Sequence, residues 1–424
     1  MNIGIVTVWF ERGAAYVSRA YSESLARRHA VYIYARGGER RGQNDPVWDY
    51  EGVTWGRVTA HMPEDYIPWD DFKDWIKLCK LDVVIFNEQH NWSIVLKARK
   101  LPIVVASYID YYTAETVPFY WLYDALFCNT ERHFSVFSKH PQVTLIPWGT
   151  DVTRYYPHHH GPVEPGQVTF FHSSGLSAYR KGTDLLVSAF QGVKGPAKLV
   201  IHAQDELAKC FTWTKGNEGI ETSQRIRNDP RINLIEGEVG APGLYHKGDV
   251  YVYPSRLDGI GLSIAEALAV GLPVITTDTA PMNEMVRHGD CGRLVSVAST
   301  EPRWDEYYWP QSICSIQALT EAMQFYVDNR IYLPKFKSAA RHHAENKLNW
   351  YINSQSLPDL VADLKKYSIA ANRDLLKQVQ QFEESKGRFP WLPLAVEDRL
   401  RRLRIDSVVR ATRSLMAPKR DNVS

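Results

Sequence analysis

Two series of short apolar runs lie along this 424-residue chain, one on each side of a segment rich in proline and glycine. In the first series the runs are 3–10, 30–34, 82–86, 103–107, 125–128 and 144–146, with helical periodicity over 14–28 and again between 86 and 103. In the second they are 168–172, 198–202, 232–235, 250–253 and 274–277, with a helix predicted over 183–190 and helical patterns dominating from 316. A run apolar throughout suits a strand covered on both faces. Such strands alternating with helices suit a parallel sheet. The expectation is therefore an α/β chain, long enough for two cores.

The interruption between the series, from Gly149 to Gly166, reads as an interdomain linker. It holds His158, His159 and His160. Adjacent side chains do not converge on one ion, so they read as linker residues and not as a metal site. The run at the amino end is too short, and lacks the basic flank, for a signal peptide. No apolar run approaches the roughly 18 residues of a membrane span. The expected location is the cytoplasm, with attachment at most to the inner face of the membrane.

That attachment would fall to a basic helical tail, predicted over 368–424. Its segment 400–416 sets Ile405, Val408, Val409, Thr412, Leu415 and Met416 on one face, among Arg399, Arg401, Arg402, Arg404, Arg410 and Arg413. A basic amphipathic helix can lie on an anionic membrane, or pack on its own protein with solvated arginines. Both readings stay open. A net charge of +2 gives no global electrostatic case for nucleic acid. Five cysteines, with no C-x-x-C pair, read as reduced thiols and not as a zinc ribbon or disulfide framework.

The chemistry concentrates between 251 and 297. Asp258-Gly259-Ile260-Gly261-Leu262 leaves a strand and enters a helix. Backbone N–H groups at a helix start can hold an anion, and glycines allow close approach. Glu266 lies inside that helix and has two readings. Ser263-Ile264-Ala265-Glu266 fits a capping box; equally, a carboxylate beside an anion site suits a pair of ribose hydroxyls. Asp258 and Glu284 both follow strand ends, where ligands sit in doubly wound folds. A second turn, Gly175-Leu176-Ser177-Ala178-Tyr179-Arg180-Lys181-Gly182, supplies two cations for a diphosphate. A P-loop is absent, as is any D-x-D pair that would hold a diphosphate through a metal.

With these residues in view, the chain resembles the family 4 glycosyltransferases of the GT-B fold, over nearly its whole length to about residue 365. The family's E-x7-E is similar to Asp258-x7-Glu266, with the first acid one methylene shorter. Its G-G-x-P-E is similar to 280–284, and its G-R-x3-K-G to 175–182, with Leu176 where Arg is usual. Its N-G-x-D…F-x-P is similar to Trp148-Gly149-Thr150-Asp151…Tyr155-Tyr156-Pro157.

The resemblance implies two Rossmann-like doubly wound domains facing a cleft. The acceptor domain would be 1–157, rejoined by a returning helix at 346–367, and the donor domain 166–345. It implies retaining transfer of a sugar from a nucleoside-diphosphate donor to a glycan, lipid or small-molecule acceptor, with no cofactor and no required metal. Asp258, Lys181, Arg180 and Asp110 are the expected catalytic residues. Asp110 stands in the loop where family members often carry a histidine. Glu266, Gly259, Ile260, Gly261, Leu262, Gly175, Gly13 and Glu284 are the expected donor-binding residues, and Glu88 and His90 the expected acceptor contacts. A sugar-nucleotide epimerase, or a silent nucleotide-sugar-binding subunit, shares the same architecture.

Overall fold

The computed structural model describes residues 1–58, 65–89, 91–158, 163–211, 216–367 and 373–386. The apolar runs of the first series become seven parallel strands: β1 (Asn2–Thr7), β2 (Ala30–Ala35), β3 (Val53–Trp55), β4 (Val83–Phe86), β5 (Val104–Tyr108), β6 (Ala125–Cys128) and β7 (Val143–Leu145). They lie in the order β3-β2-β1-β4-β5-β6-β7. Four helices flank them: α1 (Gly13–Leu25), α2 (Trp69–Leu78), α3 (Trp92–Arg99) and α4 (Glu131–Phe137). The order reverses at β1 and β4, so the crevice above those strand ends opens between the loops after each.

The second series repeats the plan. Strands β8 (Val168–Gly175), β9 (Ala197–Ala203), β10 (Ile232–Glu236), β11 (Val250–Tyr253), β12 (Val274–Thr277) and β13 (Gly292–Val295) take the order β10-β9-β8-β11-β12-β13. All the pairings in both sheets are parallel, as in two Rossmann-like domains. Helices α5 (Thr183–Phe190), α6 (Leu207–Cys210), α7 (Glu218–Asn228), α8 (Leu262–Ala269), α9 (Ile316–Asp328) and α10 (Leu333–Lys347) cover this sheet. In each domain the central strands are buried along almost their full length: Ile3, Ile5, Val83 and Ile85 in one, Phe170, Val250, Val252 and Ile275 in the other.

The predicted first strand over 3–10 is shortened: pairing stops at Thr7, and Val8 and Trp9 lie buried in the loop beyond. Sequence reasoning did not anticipate an antiparallel hairpin, β14 (Val297–Glu301) with β15 (Gln311–Cys314), that extends from the second domain. Its loop reaches the first domain. Tyr308 N–H donates to Tyr112 O (2.9 Å), Trp309 Nε1–H to Tyr112 Oη (2.7 Å), and the rings of Tyr111 and Tyr307 stack at 5.2 Å.

The chain returns to the first domain through α11 (Trp350–Asn353) and α12 (Leu357–Ala362). Trp350 Nε1–H donates to Ala20 O (3.0 Å), and Ser354 meets Ser24 hydroxyl to hydroxyl (2.6 Å). Buried Asp124 accepts from the backbone N–H of Val105 (2.8 Å) and Tyr367 (2.7 Å), and pairs with buried Arg99. The last described helix, α13 (Arg373–Lys386), lies at the start of the tail predicted over 368–424. It carries three basic and three acidic residues, and its Leu375 and Val379 join the first domain's core beside Trp92 and Phe119. Segment 400–416 lies outside the described residues. No helix among the described residues is long and apolar enough to cross a membrane.

Candidate active site

The two domains enclose a cleft of about 1030 Å³, lined from both sides. Its donor-domain wall is built from two turns fastened to each other. Gly182, with φ of +73°, turns the chain into α5, and a Cβ there would lie 2.1 Å from Pro254 O, so only glycine fits. Arg256 N–H donates to Arg180 O (2.8 Å), Arg180 Nη1–H to Leu257 O (3.0 Å), and Ser255 Oγ–H to both Arg180 O (3.1 Å) and Leu257 O (3.0 Å). The R-K-G turn and the Asp258 turn therefore form one rigid wall.

On that wall Lys181 Nζ lies 2.6 Å from Asp258 Oδ2, and Arg180 Nη1 lies 3.5 Å from it. Tyr253 Oη touches both Asp258 and Lys181. Burial pushes the Lys181 ammonium down to about 8, even with Asp258 favouring its charge. Burial would also raise Asp258, but Lys181 and Arg180 outweigh it and hold the carboxyl well below its usual range. Two cations against one carboxylate leave one positive charge facing the cleft. Leu176, where the resemblance has an arginine, lies exposed on the cleft wall, and the nearby cation on that wall is Arg180, four positions on.

Helix α8 begins at Leu262, with Gly261 preceding it in the left-handed region (φ +88°). Leu262 and Ser263 line the cleft, so the amino end of the helix opens onto it. This start excludes the capping-box reading. Ser263 lies inside the first turn, and the cap position belongs to glycine, which has no side chain to bond. Glu266 lines the cleft instead, its carboxylate accepting from Tyr245 Oη (2.6 Å) and Tyr155 Oη (3.1 Å). Burial raises its pKa, and these two phenols oppose the rise.

Across the cleft, Gly13 opens α1, and a Cβ there would come within 3.5 Å of Leu262. Glu88, at φ +50°, pairs with Arg12 (3.4 Å) and Arg36 (3.8 Å). Asp110 accepts from the backbone N–H of Tyr111 (2.6 Å); burial first, and then nearby Glu88, raise its carboxyl well above the ordinary range. Tyr307 and Arg303, from the hairpin loop, complete this end.

Most expected site residues therefore meet in one place: Asp110, Glu88 and Gly13 on one side, and Gly175, Arg180, Lys181, Asp258, Gly259, Ile260, Leu262 and Glu266 on the other. Two expectations are corrected. Gly261 shapes the turn without lining the cleft. Glu284 is not in the cleft at all: it accepts from the backbone N–H groups of Glu131 (2.7 Å) and Arg132 (2.9 Å), capping α4 across the domain interface. The helix start that holds it lies in the other domain, which no pattern around 284 could reveal. His90 lies outside the described residues.

Several participants carried no sequence signal. Arg132 donates to Ala280 O (2.6 Å) and Asp258 O. His133, pushed down to about 3 by burial, is neutral; its Nε2–H donates to Gly259 O (3.0 Å), so Nδ1 accepts from Tyr112 Oη (2.9 Å). Helix α4 thereby holds the glycine turn from the opposite domain. Tyr155, Tyr245 and Tyr253 would be found only by knowing which aromatic rings face the acids.

Comparison with known proteins places this geometry. The family model described as glycosyl transferases group 1 matches residues 167–303. The chain is 28% identical over 174 residues to the GtfA subunit of a UDP-N-acetylglucosamine–peptide N-acetylglucosaminyltransferase from Streptococcus gordonii, covering 40% of this chain and 32% of the relative. It is 24% identical over 293 residues to a D-inositol 3-phosphate glycosyltransferase from Rhodococcus opacus, covering 63% and 58%. The chain thus spans less than two thirds of the length of these curated relatives. Among solved structures, Anabaena HepE in complex with UDP and glucose superposes with a TM-score of 0.65 at 14% identity, over 86% of this chain and all of that one.

Proposed function

We propose that this chain, whose second domain belongs to the group 1 glycosyl transferases and whose fold is GT-B, moves a sugar from a nucleoside-diphosphate donor to an acceptor hydroxyl with retention of configuration. One observation carries the reading: the Arg180–Lys181–Asp258 cluster, with its surplus positive charge, shares the wall and mouth of α8 with Glu266. A cationic patch at a helix start takes a diphosphate, and a carboxylate one helical turn further on takes a ribose. The relatives' names and the UDP and glucose bound to HepE support the same donor class.

The leaving group is a diphosphate, so the work of the site is electrostatic. As the glycosidic C–O bond breaks, charge grows on the β-phosphate, and Lys181, Arg180 and the α8 amino end face it. Each such contact is worth roughly 2.7–4 kcal/mol in comparable anion-stabilising sites. Asp258 keeps Lys181 charged and aimed. The two cations do the work that a divalent ion would otherwise do, so no metal is required. Retention rests on the family likeness. Asp110 and Glu88, opposite the diphosphate site, face the sugar and the acceptor. We place the chain in the cytoplasm.

The test is product analysis with UDP-, GDP- and ADP-sugars, with and without a panel of glycan, lipid and small-molecule acceptors. Transfer to an acceptor with the donor's anomeric configuration supports the reading. An epimerised donor formed without acceptor replaces it with the epimerase. Tight nucleotide binding with neither transfer nor slow hydrolysis replaces it with a silent binding subunit.

A further inference from the structure

Glu266 has more partners than a ribose-binding carboxylate needs. Its two oxygens are each engaged by a different phenol, one from the interdomain linker and one from the short turn Tyr245–Lys247. Both rings are buried and locked in place. Tyr245 packs edge-on against Tyr155 (6.3 Å), Phe171 (5.6 Å) and Tyr251 (5.5 Å). Tyr155 is fixed through its backbone: Arg341 Nη1–H donates to Tyr155 O (2.8 Å) and to Ala269 O (2.6 Å), the last residue of α8. The linker tyrosine is thus tied to the helix that carries Glu266.

An ionised carboxylate offers about four acceptor positions. Two are taken by Tyr155 and Tyr245, one on each oxygen, which leaves one open on each. A pair of adjacent hydroxyls, such as the 2′- and 3′-hydroxyls of a ribose, presents two donors at that spacing. We propose that Tyr155 and Tyr245 are positioning residues that fix the rotation of the Glu266 carboxylate so that its two remaining acceptor positions face a cis-diol. The clamp makes the site selective for ribonucleotide over deoxyribonucleotide donors. The inference rests on the donor reading above and extends it to two further residues of the cleft wall. Burial favours the neutral acid, and the two phenol donors counter it, so the clamp also keeps an acceptor where the diol needs one.

The experiment is calorimetric titration of the full chain with UDP, GDP and ADP, then with the 2′-deoxy counterpart of whichever binds most tightly. Wild type, Tyr155→Phe and Tyr245→Phe are compared, with thermal unfolding confirming the fold of each. Wild type prefers the ribonucleotide. Each variant loses about tenfold in affinity for it, the scale of one hydrogen bond to a charged group, and loses much less for the deoxynucleotide, so discrimination narrows. A merely structural role would weaken both nucleotides alike. Full discrimination in both variants, or equal loss for both nucleotides, overturns the clamp and leaves the donor reading standing. Failure of all three nucleotides to bind wild type overturns the donor reading and the clamp together. Should either single variant unfold, the other alone decides by the same comparison.

Discussion

Replacing Asp258 by asparagine keeps the shape of the site and removes one charge, 2.6 Å from Lys181 Nζ. In the wild type, burial already holds Lys181 near 8. An opposite charge in contact typically shifts a pKa by about 1–3 units, so losing it takes the Lys181 ammonium further down, below 8. At about pH 7.5 the protonated fraction then falls from about three quarters by roughly 3- to 200-fold over that range of shifts, a loss of the cation proposed to face the leaving group. The sign follows from the chemistry: only the ammonium form stabilises the departing diphosphate, so activity declines as pH rises through the Lys181 pKa. The assay is kcat/KM for the donor against pH, which reports the free enzyme. The wild-type alkaline limb should fall through about 8, and that of Asp258→Asn at a distinctly lower pH. Any direct contact between Asp258 and the sugar adds a pH-independent loss without moving the limb. An alkaline limb at the same pH in both proteins would refute the coupling between Asp258 and Lys181.

Other perturbations test the frame around that pair. Gly182→Ala places a methyl 2.1 Å from Pro254 O at φ +73°, and should cost several kcal/mol, read as a lower denaturation midpoint. Asp124→Asn strips the charge from a carboxylate that binds Arg99 and the Tyr367 N–H; a loss of about 3–5 kcal/mol and faster proteolysis beyond residue 362 are expected. The proposed mechanism draws the positive charge at the diphosphate from Arg180 and Lys181, so chelation of divalent ions should leave turnover unchanged; loss of activity restored by one metal would contradict that assignment.

The fold was legible because its strands are apolar along their whole length. Runs such as Val83–Phe86 and Val250–Tyr253 have few alternatives to a strand covered on both faces. The hairpin at 297–314 was not, since Val297–Glu301 is half exposed and carries no continuous apolar run. In the site, local chemistry was readable and long-range chemistry was not. The glycine turn, Glu266 and the R-K-G turn each declare themselves within a few residues. Glu284 carried the same kind of signal, yet its partner is the start of α4, more than 150 positions away. The tyrosines around Glu266 and Asp258 are three of 23 in the chain, and only the packing separates them from rings that fill the core.

The most direct test of the account is ligand-induced thermal stabilisation of wild type and Glu266→Ala by UDP-, GDP- and ADP-sugars. A donor present at about a hundred times its Kd stabilises the folded state by about 2.7 kcal/mol, which moves the unfolding midpoint by several degrees. The account predicts that shift in wild type for one of these donors, and its loss in Glu266→Ala measured against that variant's own unliganded midpoint. No stabilisation of wild type by any of them, or an equal shift in the variant, would contradict it.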